Sequence, residues 1–455
     1  MDRPNILLIH SDQHRYDCLG CHDHPLLETP NLDRLAAEGA DFAHAFTPQP
    51  VCSPARACLA TGTWASTHGC LGIPDIYEAY RPADPELPTL WGLLREAGYV
   101  QAHVGKFHGE TAGTPDREGA DVFISEKAYP AWREAQGLAP PPRGGFVGAT
   151  DPHVTPAQSR LGWGAERTIE QIESAAAGGK PFFIRWDPSE PHLPNIVPEA
   201  VAGLYPPERI PPWASFADTL AGKPEIQHQQ RRTWEVEGWT WADWAPIVSR
   251  YLAEITLLDR QIGRLLETLD RLGLAQNTLV AYSTDHGDLC GGHGMIDKHY
   301  VMYDDVVRVP LIVRWPGKVS AGQKRTDFVS HELDLARTFL EAAGVEPPGS
   351  FAGRSLLADT GRADIYSQYH GAQFGLYSER MVRDARWKYV WNPTAVDELY
   401  DLAEDPGELV NRAADPACAG ERARLRGRLV AWMEEVGDPL LNFWTRAQLE
   451  KGLKR

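Results

Sequence analysis

The stretch Pro50-Val51-Cys52-Ser53-Pro54-Ala55-Arg56-Ala57-Cys58-Leu59-Ala60-Thr61-Gly62 decides how the rest of the chain is interpreted. At its centre, Cys52 stands two residues before Pro54 and four residues before Arg56. A string with three fixed letters recurs by chance, so its surroundings must decide whether it carries chemistry. Without such surroundings, a free cysteine is most simply interpreted as a small buried hydrophobe.

The surroundings favour chemistry at Cys52. The string is followed by Thr61-Gly62 and preceded by the run Thr29-Pro30-Asn31-Leu32-Asp33-Arg34-Leu35-Ala36-Ala37-Glu38-Gly39. Taken together, the run 29–39, the cysteine box 52–56 and the spacing between them resemble the type I sulfatase family. The chain departs from the family at Thr63, where arginine is frequent, and at Ala60, where a larger apolar residue is usual. Both departures lie outside the core of the signature.

The resemblance implies a modified nucleophile at Cys52. In the family this cysteine is oxidised after translation to Cα-formylglycine, whose hydrated aldehyde supplies the attacking hydroxyl group. The formylglycine-generating machinery reads the Cys-x-Pro-x-Arg string, and Cys52, Pro54 and Arg56 are all present here.

Composition and length indicate a soluble globular protein with a sizeable core. The chain has 455 residues, 43% hydrophobic and 24% charged, and a mean hydropathy of −0.37. This length fits several average domains or one large open α/β unit with insertions. No stretch approaches a membrane span.

The formal net charge of −17 disfavours nucleic acid and anionic membranes as partners. A small anionic ester would therefore need a local cluster of cations.

The cysteines and the N-terminus predict a cytoplasmic protein. Seven cysteines without a repeating spacing argue against a disulfide framework and fit a reducing compartment. The apolar run 6–9 is too short for a signal peptide. Cys18 and Cys21 form a C-x-x-C pair that no second metal-binding pair follows, so we interpret it as incidental.

Two predicted strands end in pairs of potential metal ligands. The run 6–9 leads to Asp12 and Gln13, and the strand 278–283 leads to Asp285 and His286. Open α/β sheets place ligands at the carboxyl ends of their strands. The resemblance implies that these four residues hold a divalent cation, with the modified Cys52 as a further ligand. From the residues alone, Asp12 could instead initiate a helix. Gln13 replaces the family's second acid with a neutral carbonyl oxygen, which can still bind a hard cation.

Basic residues follow the other predicted strands. Lys106 and His108 follow the strand 99–104 and project the same way in an extended chain, although a solvated loop is the alternative. His192 stands between prolines after the strand 181–186, which fixes its position. The resemblance implies that Lys106 and Lys298 bind the sulfate, that His108 acts as a base and that His192 is the general acid.

The fold class follows from the same pattern and the resemblance. We predict an α/β, alkaline-phosphatase-like sandwich, in which a mostly parallel central sheet is flanked by helices. A small C-terminal antiparallel sheet and a helix follow it, so that residues 1–360 form the catalytic domain and 361–455 the C-terminal subdomain. Helices are predicted at 31–39, 87–97, 165–177, 246–272 and 419–436, and strands also at 311–314, 383–390 and 398–402. Residues 110–163 show no regular pattern, and five tryptophans between 213 and 244 either pack a satellite core or line a pocket.

These features predict hydrolysis of a sulfate monoester. A mostly oxygen shell favours Ca²⁺, with Mg²⁺ or Mn²⁺ as alternatives, and Arg56 would fix the formylglycine diol. A phosphonate monoester or phosphodiester hydrolase of the same superfamily is the alternative, because an Asp-Gln pair such as Asp12-Gln13 is familiar there. A non-catalytic binding protein would be expected to lack part of the constellation, and none is missing. The alcohol and the oligomeric state stay open, and a homo-oligomer is compatible with the sequence.

Overall fold

The computed structural model describes residues 3–371, 373 and 375–452. The strands are β1 (Asn5–Ser11), β2 (Ala40–Phe42), β3 (Ala45–Phe46), β4 (Val100–Gly105), β5 (Val122–Ser125), β6 (Ala149–Asp151), β7 (Phe182–Asp187), β8 (Ile196–Pro198), β9 (Thr278–Thr284), β10 (Leu311–Arg314), β11 (Gln323–Arg325), β12 (Val329–Ser330), β13 (Ile365–Gly371), β14 (Tyr377–Arg383), β15 (Trp387–Trp391) and β16 (Glu398–Asp401). The helices are α1 (Pro30–Glu38), α2 (Cys52–Thr61), α3 (Ala65–His68), α4 (Leu90–Glu96), α5 (Pro115–Glu118), α6 (Tyr129–Ala135), α7 (Arg160–Gly178), α8 (Glu199–Ala202), α9 (Glu225–Thr233), α10 (Trp241–Arg271), α11 (Asp304–Val307), α12 (His331–Ala342), α13 (Ala419–Glu435) and α14 (Phe443–Lys451).

The main sheet has the strand order β11-β2-β10-β9-β1-β7-β4-β5. Strand β1 is parallel to both of its neighbours, β7 and β9, and β4 is parallel to β7. Strand β10 is antiparallel to β9 and β2. The predicted mostly parallel sheet is therefore confirmed. Because β1, β4, β7 and β9 run in one direction, the residues that follow them gather at one edge of the sheet.

Alternating side chains of β1 reach two apolar layers. Ile6 and Leu8 are buried in one core cluster with residues of α2, α4 and α12. Leu7 and Ile9 are buried in the other with residues of α1, α7 and α10. A strand buried on both faces needs a continuous apolar run, which is how residues 6–9 read in the sequence.

Some predicted boundaries are wrong for identifiable local reasons. Helix α10 begins at Trp241, because Thr240 and Asp243 form a capping box that starts the helix before Pro246. The predicted strand 383–390 is divided, because the Asp384 carboxylate accepts from the backbone N–H groups of Arg386 and Trp387 and closes a turn there. Residues 110–163 contain α5, β5, α6 and β6, which no periodicity had indicated.

The C-terminal part matches the predicted architecture. Strands β13, β14, β15 and β16 form an antiparallel sheet in that order, and α13 contacts β14 and β15. Its first strand starts at Ile365, so a boundary near residue 360 stays a prediction that fits this sheet. Among the described residues, no helix combines the length and the apolar character needed to cross a membrane.

The tryptophan-rich segment packs as a satellite core. Trp244 is fully buried, and its ring lies 5.0 Å from the ring of Trp239. Trp234 meets Phe146 edge to face at 5.3 Å. These contacts favour the first of the two interpretations of this segment, a structural cluster in which aromatic rings bury each other.

Candidate active site

Residues from several strand ends meet at the carboxyl edge of the main sheet. Asp12 follows β1, Lys106 follows β4 and Asp285 follows β9. The Lys106 Nζ lies 2.6 Å from the Asp12 Oδ2. Asp12 and Asp285 are both fully buried, so their charges need partners inside the protein.

Cys52 is the first residue of α2 and is fully buried at this edge. Its Sγ lies 3.3 Å from the His286 Nε2 and 3.7 Å from the Asp12 Oδ1. Burial alone would raise the pKa of the Cys52 thiol, but Lys106, Lys298 and His286 together hold that pKa well below its ordinary value. Position 52 is thus built to accommodate a negatively charged or strongly polarised group.

Arg56 bonds to carboxylates at the ends of three strands of the main sheet. It lies one turn of α2 after Cys52, and its guanidinium group bonds to three buried carboxylates. The distances are 3.0 Å from Nη2 to the Asp12 Oδ2, 3.1 Å from Nε to the Asp285 Oδ2 and 3.1 Å from Nη1 to the Asp187 Oδ1. A planar guanidinium group with five donors suits such a junction better than an ammonium group would.

Asp187 is a site residue that the sequence analysis missed. It ends β7, is fully buried, and binds His103 and Arg185 as well as Arg56. Burial would raise the pKa of Asp187, but Arg185 and His103 hold it well below its usual range. The available signal was its place directly after a buried strand, as for Asp12 and Asp285.

Four of the predicted metal ligands form one cluster. The ligand atoms of Asp12, Cys52, Asp285 and His286 all lie within 4.8 Å of one another. The His286 Nδ1 lies 2.8 Å from the Gly287 carbonyl oxygen, an acceptor, so Nδ1 carries the proton and Nε2 presents a lone pair to the cluster. The donor set therefore fits a divalent cation.

The two aspartates of this cluster differ in their affinity for protons. Burial and the neighbouring charge of Asp12 raise the pKa of Asp285 to about 6. Burial and Cys52 oppose ionisation of Asp12, yet Lys106, His192 and Arg56 lower its pKa below the ordinary value. Adjacent buried carboxylates of this kind resist sharing two negative charges unless a cation sits between them.

Gln13 connects the cluster to the basic side of the site. Its backbone has φ 67°, and its N–H donates to the Asp285 Oδ1 at 3.1 Å. Its side-chain Nε2 donates to the Asp288 Oδ2 at 2.9 Å, and its Oε1 accepts from the Lys298 Nζ at 2.8 Å. An amide oxygen has two lone pairs, so Gln13 can accept from Lys298 and still ligate a cation.

Lys298 and His192 form a bonded pair at the open side. The Lys298 Nζ lies 2.8 Å from the His192 Nε2, and the His192 Nδ1 lies 2.5 Å from the carbonyl oxygen of Leu193. The His192 side chain is 25% exposed, whereas the side chain of Lys298 is 2% exposed. A group leaving toward solvent would therefore pass His192.

His108 lies on the other side of Cys52. Its carbonyl oxygen accepts from the Ser53 Oγ at 2.6 Å, and its N–H donates to the Glu110 Oε2 at 2.8 Å. Its ring reaches the Cys52 thiol and helps to lower the thiol pKa. The ring Nδ1 is buried and has no hydrogen-bond partner within the described ranges. Every residue predicted for the site thus lies at this edge of the sheet.

Comparison with known proteins places this geometry in a family. The model of the family described as Sulfatase matches residues 4–345, and that of N-sulphoglucosamine sulphohydrolase, C-terminal, matches residues 291–435. The chain belongs to the sulfatase family. It is therefore a sulfuric ester hydrolase of the alkaline phosphatase superfamily, as the cysteine box predicted.

Named relatives of this sulfatase have similar lengths. The chain is 28% identical to the uncharacterized sulfatase YidJ of Escherichia coli (strain K12), covering 97% of this chain and 90% of that protein. It is 25% identical to an N-acetylglucosamine-6-O-sulfatase of Bacteroides thetaiotaomicron, covering 90% and 82% respectively. Among solved structures, a phosphonate monoester hydrolase of Agrobacterium radiobacter superimposes with a TM-score of 0.82 at 25% identity, covering 95% of this chain and 96% of that one.

Proposed function

We propose that this sulfatase uses a formylglycine made from Cys52 to hydrolyse the sulfate monoester of a small molecule. The observation that carries the proposal is the position of Cys52. It begins α2 with Pro54 and Arg56 in place, and its side chain faces His286 and Asp12. In the active enzyme, the Sγ of the structure stands for the hydroxyl oxygen of the hydrated aldehyde, which is the attacking group. A plain thiol or hydroxyl could not release sulfate by reversal to an aldehyde.

The metal centre is part of this proposal. Asp12, Gln13, Asp285, His286 and the modified residue 52 would hold the ion, which would polarise the sulfate and the diol when bound. Carboxylate and amide oxygens favour Ca²⁺, with Mg²⁺ and Mn²⁺ as competing ions. Arg56 would keep Asp12 and Asp285 in position, since it bonds to both.

The remaining residues bind the sulfate and move protons. Lys106 and Lys298 approach Cys52 as buried cations and would neutralise the sulfate oxygens. His192 would give a proton to the departing alcohol, and Lys298, whose Nζ lies 2.8 Å from the His192 Nε2, would supply that proton to the ring. His108 would take the proton from the second hydroxyl group of the diol when sulfate is released.

The substrate class, the maturation partner and the cellular location are proposed from the sequence. We infer a small anionic ester as substrate and the formylglycine-generating machinery as a partner during maturation. The net charge of −17 argues against nucleic acid and anionic membranes, and the cysteine pattern favours the cytoplasm.

A second candidate function is hydrolysis of a phosphonate monoester or phosphodiester. The relative from Agrobacterium radiobacter is a phosphonate monoester hydrolase, and the Asp12-Gln13 pair is compatible with such a site. Lys106 and His108 favour sulfate. Aryl sulfate, sugar sulfate, choline sulfate and phosphonate ester substrates, assayed side by side, decide between the two. A higher kcat/KM for the phosphonate ester would favour the alternative.

The modification is tested on the tryptic peptide 35–56 of active protein. Mass spectrometry should show an aldehyde oxygen in place of the Cys52 thiol, and hydroxylamine should convert it to an oxime. The variant C52A should lose at least roughly three orders of magnitude in kcat/KM, whereas C58A, which changes a neighbouring buried cysteine, should keep the modification. Active enzyme with only unmodified cysteine at position 52 would contradict the proposal.

A further inference from the structure

A second cluster of metal-ligand side chains lies behind the candidate active site. It consists of His10 on β1 and His331 and Glu332 at the start of α12, and all three residues are fully buried. One ligand atom from each can be chosen so that all lie within 4.8 Å of one another. None of these residues has a role in the sulfatase reaction proposed above.

The atoms that face the middle of this cluster are left without partners. The Glu332 Oε1 lies 3.5 Å from the His331 Nε2 and 3.9 Å from the His10 Nε2. None of these three atoms has a hydrogen-bond partner in the described part of the chain. An unpaired polar atom in the interior destabilises the fold, and an unpaired charge does so more strongly.

The neighbours on the far sides of the two histidines favour lone pairs toward the middle. The His331 Nδ1 bonds to the Phe46 carbonyl oxygen at 3.3 Å, whereas the His10 Nδ1 lies 3.4 Å from the Asp187 Oδ1 without forming a well-aligned hydrogen bond. Both neighbours are acceptors, so the proton of each neutral ring belongs on Nδ1 and the lone pair on Nε2. Two imidazole lone pairs and a carboxylate oxygen thus face one another, an arrangement that repels unless an electrophile occupies the middle.

Each ligand also has a partner that would orient it. Besides Phe46 and Asp187 behind the two histidines, the Thr47 hydroxyl lies 3.4 Å from the Glu332 Oε2. Histidines and carboxylates that bind a metal typically also contact a carbonyl, carboxylate or hydroxyl group on the side away from the metal. Two ligands on a tetrahedral zinc ion lie about 3.3 Å apart, close to the separations of Glu332 from both histidines.

We propose that His10, His331 and Glu332 bind a zinc ion that is separate from the metal centre at Cys52. Two imidazoles and one carboxylate favour zinc over the hard cations that suit the aspartate-rich site. Because the ligands are buried, the ion would enter as the chain folds. It would connect α12 to β1 and, through His10, steady Asp187, whose Oδ1 also contacts Arg56.

The alternative electrophile is a proton. Burial, reinforced by Asp285, raises the pKa of Glu332 well above its ordinary value, and burial lowers the pKa of His10 to about 4. A protonated Glu332 could donate to one histidine, but the other Nε2 would then stay unpaired. Zinc satisfies all three atoms together.

Metal analysis of the full chain tests the proposal without using activity. Protein produced with zinc and calcium, then dialysed into calcium buffer without zinc, should retain about one equivalent of zinc. D285N, which removes a ligand of the other centre, should retain the same amount. E332Q should lose the zinc, whereas E379Q, the matched change at a fully buried glutamate of β14, should keep it.

X-ray absorption at the zinc edge supplies a second measurement that needs no variant at position 332. The expected spectrum has imidazole nitrogen and carboxylate oxygen ligands and no sulfur. Zinc-free wild-type protein, zinc that disappears in D285N, zinc that persists in folded E332Q, or a sulfur ligand would each overturn the proposal.

Discussion

Position 52 shows how neighbouring residues set the chemistry of one side chain. The thiol is fully buried, which would normally make it inert. Lys106, Lys298 and His286 reverse that tendency and favour its charged form. Lys106 and Lys298 would also receive the charge of a sulfate ester, so the same two lysines serve the nucleophile and the substrate.

Residues of the site were predictable where a local motif carries them. Cys52 and Arg56 share one helix, and Asp12 and Asp285 each follow a buried strand. Asp187 also stands at the end of a buried strand, but its bond to Arg56 was not predictable, because 131 positions separate the two residues in the chain. The cluster of His10, His331 and Glu332 was missed for the same reason, since 321 positions separate its two histidines and only the fold unites them.

The first prediction at this scale concerns the leaving group. A general acid matters most when the departing oxygen is a poor leaving group. The H192A variant should therefore slow hydrolysis of an alkyl or sugar sulfate by roughly two to four orders of magnitude, and slow a nitrophenyl sulfate much less. Steady-state kinetics on both substrates measures this difference.

The control for this experiment is H153A, which changes an exposed histidine. It should leave both rates unchanged. Equal losses on the two substrates in H192A would show that His192 binds sulfate or supports the site, and would make Lys298 the better candidate for the acid.

At the scale of elements, helix α10 holds the loop that carries His192. The Glu254 Oε1 accepts from the Ile196 N–H at 2.9 Å, and the Oε2 accepts from the Asn195 Nδ2 at 2.8 Å. The helix itself was predictable from its apolar spacing. Its contact with this loop was not, because residues 191–196 have no periodicity that would fix their path.

A prediction about pH follows from Glu254. Burial, and then the charge of Glu190, raise its pKa to about 8, above the ordinary value of 4.5. Between these two values the folded chain keeps a proton that the unfolded chain releases. The free energy of unfolding should therefore fall as pH rises through this window, by about 1 to 3 kcal/mol from this group. Urea unfolding at pH 5.5 and 8.5 measures the change.

E254Q separates this contribution from those of other groups. A neutral amide cannot release a proton, and its oxygen can still accept one of the two hydrogen bonds from Ile196 and Asn195, so this variant should lose that part of the pH dependence. E267Q, at an exposed position of the same helix, should behave like the wild type. Identical pH dependence in E254Q and the wild type would show that Glu254 does not hold the extra proton.

At the scale of the whole molecule, a buried ion cluster joins the C-terminal sheet to the main body. Lys388 on β15 is fully buried, and its Nζ lies 2.5 Å from the Asp304 Oδ1 and 2.7 Å from the Glu408 Oε1. It also donates to the Met302 carbonyl oxygen at 2.9 Å, four residues after Lys298. The C-terminal sheet thus supports the segment that delivers Lys298 to the site, although its sequence carries no catalytic motif.

The last prediction is that K388M destabilises the entire chain in one step. Removing the cation takes this partner from the buried Glu408 carboxylate and from the partly buried Asp304, which keeps its bond to Arg383, and should cost about 3 to 5 kcal/mol in the free energy of unfolding. Because the contacts of Lys388 with Asp304 and Met302 bridge the two parts of the chain, calorimetry should show one cooperative transition in both wild type and variant. K324M, at an exposed lysine of β11, should change the midpoint little. The double variant K388M/E408Q should regain part of the loss, since it removes one of the stranded charges. A separate low-temperature transition in K388M, with the main transition unmoved, would instead show that residues 361–455 unfold independently of the catalytic domain.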